Sequence, residues 1–582
     1  MKLKKGIMVP IFFPLIIFAF SACSLQAASV IPSAPPYIVA YAYEPVLTGD
    51  SITRWKMRIE WERVNINFIL FAGEYVIYRS AFENGIYTQI SVVQGYFFYD
   101  EVESNQTSGR EYFYRIAARN NHGSSAQSKS ARGFAPALNI NIGDNGYKAF
   151  WARDLNSASL YYRTWAKREA EGAHGIIYQE LQNYRAGSPA VNNSRILSIK
   201  TEFDIIYDKL TQVFGQPEYK IAPLDGNNKI TILLLNIQDG YVVSGNPYVS
   251  GYFFSRDLHV DPPAGRSNER NMIYIDTYPA FLYAPEIIYR TMAHEFQHLI
   301  NYTLHPSSAQ MDLWINEGLS EAATYIYDEK INLDRINYYN RVFQWPNQPP
   351  LTIPLGNTFF SWDYQRGDVL ANYSTVYLFF QWLRIHANMS IYGDIINSNF
   401  TDHRSVVEAF NAKRPASPDL NWEDLLMNWF AANFIQNGNG ILGYGNSGIN
   451  LVKHTANVSA NTLRLAPGEG VVTQITSSVS LPANRGNIRY ALLNNNTASK
   501  ISSAAAVINS PGSYLLTFNV DTNLKNIVIQ NGVVARALGQ RTLAGAVTWL
   551  AGNHEFAYLG EVPQPWEWDS ARYFLQRLND DF

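Results

Sequence analysis

His294 and His298 lie four residues apart, Glu295 follows the first directly, and Glu317 follows the second after a gap of 18 residues. Two imidazoles at that spacing sit one above the other on a helix face, so both can reach one metal ion. A carboxylate from a second helix would complete three protein ligands. A fourth position would stay open for water and substrate, as in catalytic rather than structural zinc sites. Glu295 points into the same cleft and suits a general base for a water polarised by the metal. Glu321 stands four residues after Glu317 and shares its face, which suits it to orient a ligand histidine through the other ring nitrogen. The competing reading is a chance His-Glu-x-x-His on a surface helix. It must also explain Asn316-Glu-Gly-Leu-Ser-Glu321 downstream, in a chain with ten histidines.

The flanking residues predict the elements that would hold these groups. Pro285 suits a first helical turn, and Ile287, Ile288, Met292, Phe296, Leu299 and Ile300 recur at three- and four-residue spacings. A second helix is expected from Asp312, as N-cap, to about Lys330, with Leu313, Leu319, Ala322, Ala323 and Ile326 as its apolar side. Upstream, Lys229–Asn236 and Met272–Asp276 predict buried strands, and residues 155–171 and 194–215 predict helices. A strongly apolar helix is expected from about Asp368 to Ala387. The metal would then lie in a cleft between a mixed lobe and a helical lobe.

The motifs His294-Glu-Phe-Gln-His-Leu-Ile-Asn301 and Leu313-Trp-Ile-Asn-Glu-Gly-Leu-Ser-Glu321 resemble those of the gluzincin metallopeptidases. More narrowly they resemble the hyicolysin family, as do Gly251-Tyr-Phe, Asp257, Ser267-Asn-Glu and Ile273-Tyr-Ile-Asp276. The resemblance covers roughly residues 138–440. It implies one zinc ion held by His294, His298 and Glu317, with Glu295 as base and proton shuttle. It also implies a phenol or imidazole that stabilises the oxyanion, for which Tyr373 is the candidate by placement, followed by Tyr377 and His386. With 38 tyrosines in the chain, packing is the alternative role for Tyr373. The Gly-x-Met-Glu-Asn motif that binds a free substrate amine in related aminopeptidases is absent, which favours an endopeptidase. Gly251-Tyr-Phe is either the edge strand that pairs with an extended substrate or a buried core strand.

Charged residues are 16% and aromatics 14% of the 582 residues, the composition of a well-buried globular chain of two to four domains. Net charge is −3, and neither a basic run nor a Cys-His finger points to nucleic acid. Residues 1–22 have the pattern of a secretory signal: Lys2, Lys4 and Lys5, then an apolar stretch from Ile7 to Phe20. Phe20-Ser-Ala-Cys23 resembles a bacterial lipobox, and Cys23 is the sole cysteine. The expectation is an exported lipoprotein anchored to a membrane through Cys23. The alternative is a secreted protein cleaved near Ala27 or Ala28.

Residues 23–36 would be the lipidated cysteine and a tether, and 37–137 an all-β domain. The latter resembles a fibronectin type III sandwich through Trp61, Tyr75-Val-Ile-Tyr-Arg79 and Tyr112-Phe-Tyr-Arg-Ile-Ala-Ala118. Its role would be a spacer or a docking module. Residues 138–442 would form the peptidase and 443–582 a C-terminal β domain. Its strands are expected at Leu463–Leu465, Gly470–Ile475, Tyr490–Leu493, Tyr514–Val520 and Asn526–Ile529. The fold class is thus multidomain: sandwich, α+β zincin with a mixed and a helical lobe, and β domain. The function read from all this is a zinc endopeptidase acting on proteins. A surface adhesin on a peptidase scaffold, or an aminopeptidase, are the alternatives. No EF-hand loop marks a calcium site, and no signal sets the oligomeric state.

Overall fold

The computed structural model describes residues 31–522 apart from 67–69, 72, 143–145, 158–159, 183–190, 220–226, 242–247, 261–265, 306–309, 343–352, 359, 361, 363–368, 457–464, 482–484 and 503–506. Cys23 and the expected signal segment, Leu463 and Asn526–Ile529 of the expected β domain, the pair His554-Glu555, which has no second His four residues on, and the tail 563–582, rich in aromatics and Asp, lie outside the described residues.

The first layer is a sandwich of seven main strands. They are β1 (Ile38–Thr48), β2 (Ser51–Trp61), β3 (Glu74–Ser80), β4 (Thr88–Val93), β5 (Phe97–Val102), β6 (Arg110–Asn120) and β7 (Ala131–Ala135). One sheet has the order β1-β2-β5 and the other β7-β6-β3-β4, with all pairs antiparallel. Trp55, Trp61, Ile59, Ile77, Tyr114 and Ile116 fill the space between them. This three-plus-four arrangement fits the sandwich expected from the sequence.

A six-stranded mixed sheet follows: β8 (Tyr147–Arg153), β9 (Tyr161–Glu171), β10 (Gly175–Glu180), β11 (Ile230–Leu235), β12 (Gly251–Phe253) and β13 (Met272–Asp276). Its order is β8-β9-β10-β11-β13-β12; β10, β11 and β13 are parallel, and the rest pair antiparallel. The helix expected over 155–171 is therefore replaced by strand β9. Its Lys, Arg, Glu and Ala content suits a helix, but alternation decides. Tyr162, Thr164 and Ala166 are buried in the sheet layer, while Arg163 and Trp165 face the sandwich. The second expected helix is present as α1 (Asn193–Phe214), capped by the Asn192 side chain on the Arg195 amide.

The sandwich and the sheet share material. Strand β1 is buried on both faces: Ala40 and Ala42 join the sandwich core, whereas Val39 and Tyr41 join the layer on the six-stranded sheet. Trp165 enters the sandwich core in return, edge-on to Trp55 at 5.1 Å, and its indole N–H donates to the Ala42 carbonyl at 3.0 Å. Guanidinium and aromatic groups alternate across the joint: Phe97, Arg58, Tyr43, Arg163, Trp151, Arg266, Tyr161, Arg153, Phe254. Successive charge-to-ring distances run from 4.4 to 5.9 Å. Glu60, nearly buried, accepts from Arg58 on one oxygen and from Arg266 on the other.

Helices α2 (Pro285–Leu304), α3 (Leu313–Asp328), α4 (Leu333–Asn340), α5 (Val369–Ala387), α6 (Ile391–Ile396), α7 (His403–Ala412) and α8 (Trp422–Ile435) build the next layer. Among the described residues none is long and apolar enough to cross a membrane. A four-stranded antiparallel sheet closes the described chain: β14 (Gly470–Gln474), β15 (Ile488–Leu493), β16 (Ala498–Lys500) and β17 (Tyr514–Asn519), in the order β14-β17-β15-β16. It packs on α8 through Phe430 against Phe518 and Phe434 against Tyr514.

Candidate metal centre

Pro285 occupies the first turn of α2, where its missing N–H costs nothing. The helix is then buried on nearly every side from Thr291 to Thr303. α1 backs it, with Phe296 against Tyr207 at 5.1 Å and Phe203 at 5.4 Å. The sheet closes on it at Gly251, where an added Cβ would stand 2.6 Å from the Thr291 methyl and 2.8 Å from the Tyr274 carbonyl. Gly318, directly after Glu317, has a comparable role: a Cβ there would meet the Phe380 ring at 2.1 Å, so only glycine lets α3 lie this close to α5. Asp312 stands at the N-cap of α3, but its carboxylate bonds to no amide of the first turn.

These packings bring His294, His298 and Glu317 together, fully buried, with one potential ligand atom from each within 4.8 Å of the others. His294 Nε2 is 3.4 Å and His298 Nε2 3.5 Å from Glu317 Oε2. On the far side of the rings, His298 Nδ1 meets Asn316 Oδ1 at 3.0 Å and Ser320 Oγ at 3.1 Å. Bonding of Nδ1–H to the Asn316 carbonyl oxygen leaves Nε2 as a lone pair aimed inward. His294 Nδ1 faces Glu321 Oε1 at 3.6 Å. Asn316 and Ser320 were not singled out from the sequence, although both lie inside the second motif.

Charge balance favours a cation. Burial pushes His294 down to about 4, so the ring is neutral at pH 7. Burial works to raise Glu317, but the facing His298 and His294 rings overcome it and hold the carboxyl at about 2. Two imidazoles and one carboxylate, buried and convergent, match the donor chemistry of zinc. Glu295 is buried beside them, and neither of its oxygens makes a close hydrogen bond to a protein donor. Burial raises its pKa well above the carboxylate range and the Glu317 charge adds to this, while the Phe253 backbone opposes it. Phe253 belongs to β12, the outermost strand of the sheet, and all three β12 residues are buried.

Tyr373 is buried on α5 with its ring 5.9 Å from the His294 ring, covered by Trp362 at 4.9 Å. The other two candidates are engaged elsewhere. The Tyr377 hydroxyl accepts from the Asn332 amide at 2.8 Å, and His386 Nε2 bonds to the Gly443 carbonyl at 2.9 Å.

No family model matches the chain. It is 28% identical over 336 residues to the neutral metalloprotease ShpI of Staphylococcus hyicus, covering 56% of this chain and 70% of that protein. The likeness extends well beyond the two motifs, and with the His-His-Glu centre it supports a metallopeptidase. Among solved structures, a Fn3-like protein from Clostridium thermocellum is similar at 21% identity. That match covers 19% of this chain and 98% of that one, with a TM-score of 0.14. The sixth fibronectin type III domain of a human protein is similar at 19% identity over 19% of this chain and 92% of its own, TM-score 0.13.

Proposed function

We propose that this protein is an exported zinc endopeptidase of the gluzincin type. The observation that carries the reading is the convergence of His294 Nε2 and His298 Nε2 on Glu317 Oε2, with the Glu295 carboxylate free of close hydrogen bonds beside them. His294, His298 and Glu317 would hold one zinc ion, which when bound supplies a Lewis acid for the peptide carbonyl and acidifies a water. Glu295 takes the proton of the attacking water and delivers it to the leaving amine. A raised pKa suits that exchange, because the group must hold the proton between the two steps. The Tyr373 phenol donates to the developing oxyanion.

The absent aminopeptidase motif supports cleavage within a chain. Of the two roles expected for Gly251-Tyr-Phe, the burial of all three residues favours the core strand. Anchoring through Cys23 belongs to the same proposal, and Cys23→Ser should release the protein from the membrane fraction; a variant that stays membrane-bound removes the anchor.

The deciding experiment is digestion of an unfolded protein by the purified chain beside Glu295→Gln, with new termini mapped by mass spectrometry. Wild type should make internal cuts. The variant should retain zinc and lose about 10²–10⁴-fold in turnover. Release of single N-terminal residues would replace endopeptidase with aminopeptidase. Equal cleavage by both proteins would remove Glu295 as base. A wild type that binds zinc and cuts nothing would return the adhesin reading.

A further inference from the structure

Behind the metal centre lies an arginine that the proposed reaction does not use. Arg335, on α4, is 4% exposed, and both arms of its fork meet Glu321: Nε donates to Oε2 at 3.0 Å and an Nη to Oε1 at 2.7 Å. The Oε1 atom that takes the second bond is the one facing His294 Nδ1. The guanidinium also backs Tyr373, its central carbon 4.9 Å from the ring centroid. One planar cation therefore touches both the carboxylate behind a ligand imidazole and the phenol proposed for the oxyanion.

Geometry explains why an arginine stands here. Two parallel N–H···O bonds fix the carboxylate plane as well as its position, which a lysine ammonium cannot do. A carboxylate fixed in this way leaves Oε1 directed at His294 Nδ1, and an outer partner of this kind sets the plane of a ligand ring. The flat face stays free to lie against Tyr373. Arg335 itself is held from its own helix: Asn332 caps α4 on the Asp334 amide, and the Asn332 amide donates to the Tyr377 hydroxyl. α4 is thereby tied to α5, which carries Tyr373.

We propose that Arg335 is the positioning residue of the centre, setting His294 through Glu321 and Tyr373 through its ring face, so that metal ligand and oxyanion donor move as one unit. The proposal rests on the metallopeptidase reading and assigns Arg335 no contact with substrate.

The test compares wild type, Arg335→Lys, Glu321→Gln and the double variant, all as full mature chains. The readouts are zinc release to a chelator, the visible spectrum of the cobalt-substituted protein, and kcat and KM at saturating zinc. Arg335→Lys should release zinc about 10–100-fold faster and alter the cobalt bands. The double variant should release zinc no faster than Glu321→Gln alone, because the arginine acts through that carboxylate. At saturating zinc, kcat should fall with KM unchanged, and by less in a Tyr373→Phe background. Wild-type zinc release and cobalt bands in Arg335→Lys, or fully additive effects with Glu321→Gln, would overturn the proposal. Should Arg335→Lys not fold, Arg335→Gln keeps one donor to Glu321 and must also release zinc faster than wild type; equal release overturns the idea. Failure of the underlying reading looks different: wild type then binds no zinc, or cleaves as well with Glu295→Gln as without it.

Discussion

The metal centre and the sandwich joint are both buried, both polar, and assembled in opposite ways. At the centre, six side chains come from three helices, and five of them sit in two short motifs: His294, Glu295 and His298 within five residues, Glu317 and Glu321 four apart, with Tyr373 alone on α5. At the joint, the alternating arginines and rings come from nine positions scattered between Tyr43 and Arg266, on strands and loops that no short motif connects. The centre concentrates lone pairs and a negative charge where hydrogen-bond donors are scarce, which calls for a cation. The joint spreads its positive charge over aromatic faces and one shared carboxylate, Glu60, while the Nε atoms of Arg153 and Arg163 stay buried without a hydrogen-bond partner. Burial of unsatisfied polar groups therefore does not by itself mark a functional site here; the convergence of several acceptors on one point does.

The largest expected effect separates the two directly. His298→Ala removes a proposed zinc ligand and should cost at least about 10²–10⁴-fold in turnover, with zinc content falling below one per chain. The protein should still unfold in one cooperative transition, because the joint is untouched. Loss of the folded state in this variant would mean that the centre carries the fold as well.

Trp165→Ala is the reciprocal change. It empties a buried indole from the sandwich core and leaves the Ala42 carbonyl without its donor, which should cost about 3–5 kcal/mol in denaturant unfolding. Activity per folded molecule should be unchanged, since Trp165 touches nothing in the centre. A parallel fall in kcat would show that the joint acts on the site, and would break the comparison.

Asn316→Ala sharpens the centre. Without the Oδ1 acceptor, His298 loses the partner that fixes its tautomer, and zinc affinity should drop about 10–100-fold. Equilibrium zinc titration checks this, and an unchanged affinity would leave Ser320 as the orienting group.

The same contrast explains what the sequence could show. The helix bearing His294 and His298 and the one bearing Glu317 were legible because i, i+4 spacing, Pro285 and apolar periodicity all point one way. Tyr373 was legible only through resemblance, since nothing local distinguishes it from the other tyrosines. Arg335 was not legible: its partner Glu321 is 14 residues away on another helix, and a single arginine in a polar stretch reads as a surface charge. Strand β9 was misread because Lys167-Arg-Glu-Ala-Glu171 has helix-forming composition, while its pairing with β8 and β10 is a tertiary fact. The depth of the joint was invisible for a related reason. A strand buried on both faces, such as β1, looks from sequence like any apolar stretch, and the second face shows only when its cover is known.

The smallest expected effect concerns pH, and it falls at the joint side of the sheet. Glu180 ends β10, next to the Leu181 amide that bonds to the Trp165 carbonyl. Burial pushes it up to about 7, against the opposing bonds from the Asn236 amide and the Thr164 hydroxyl. Below the unfolded carboxyl value, folded and unfolded chains both carry this proton and the contribution to stability is complete. As pH rises the unfolded chain loses its proton first, so it binds fewer protons than the fold, and stability declines until about 7 and is level beyond. Asp257, raised to about 7 by its own burial, works in the same sense. Glu180→Gln removes the proton but keeps an acceptor for Asn236. It should therefore lose on the order of 1–2 kcal/mol less than wild type between about pH 5 and 7. Unfolding curves at both pH values decide the matter: parallel losses in the two proteins would mean that Glu180 is ionised in the fold and that the joint, unlike the centre, holds its charge without a counter-ion.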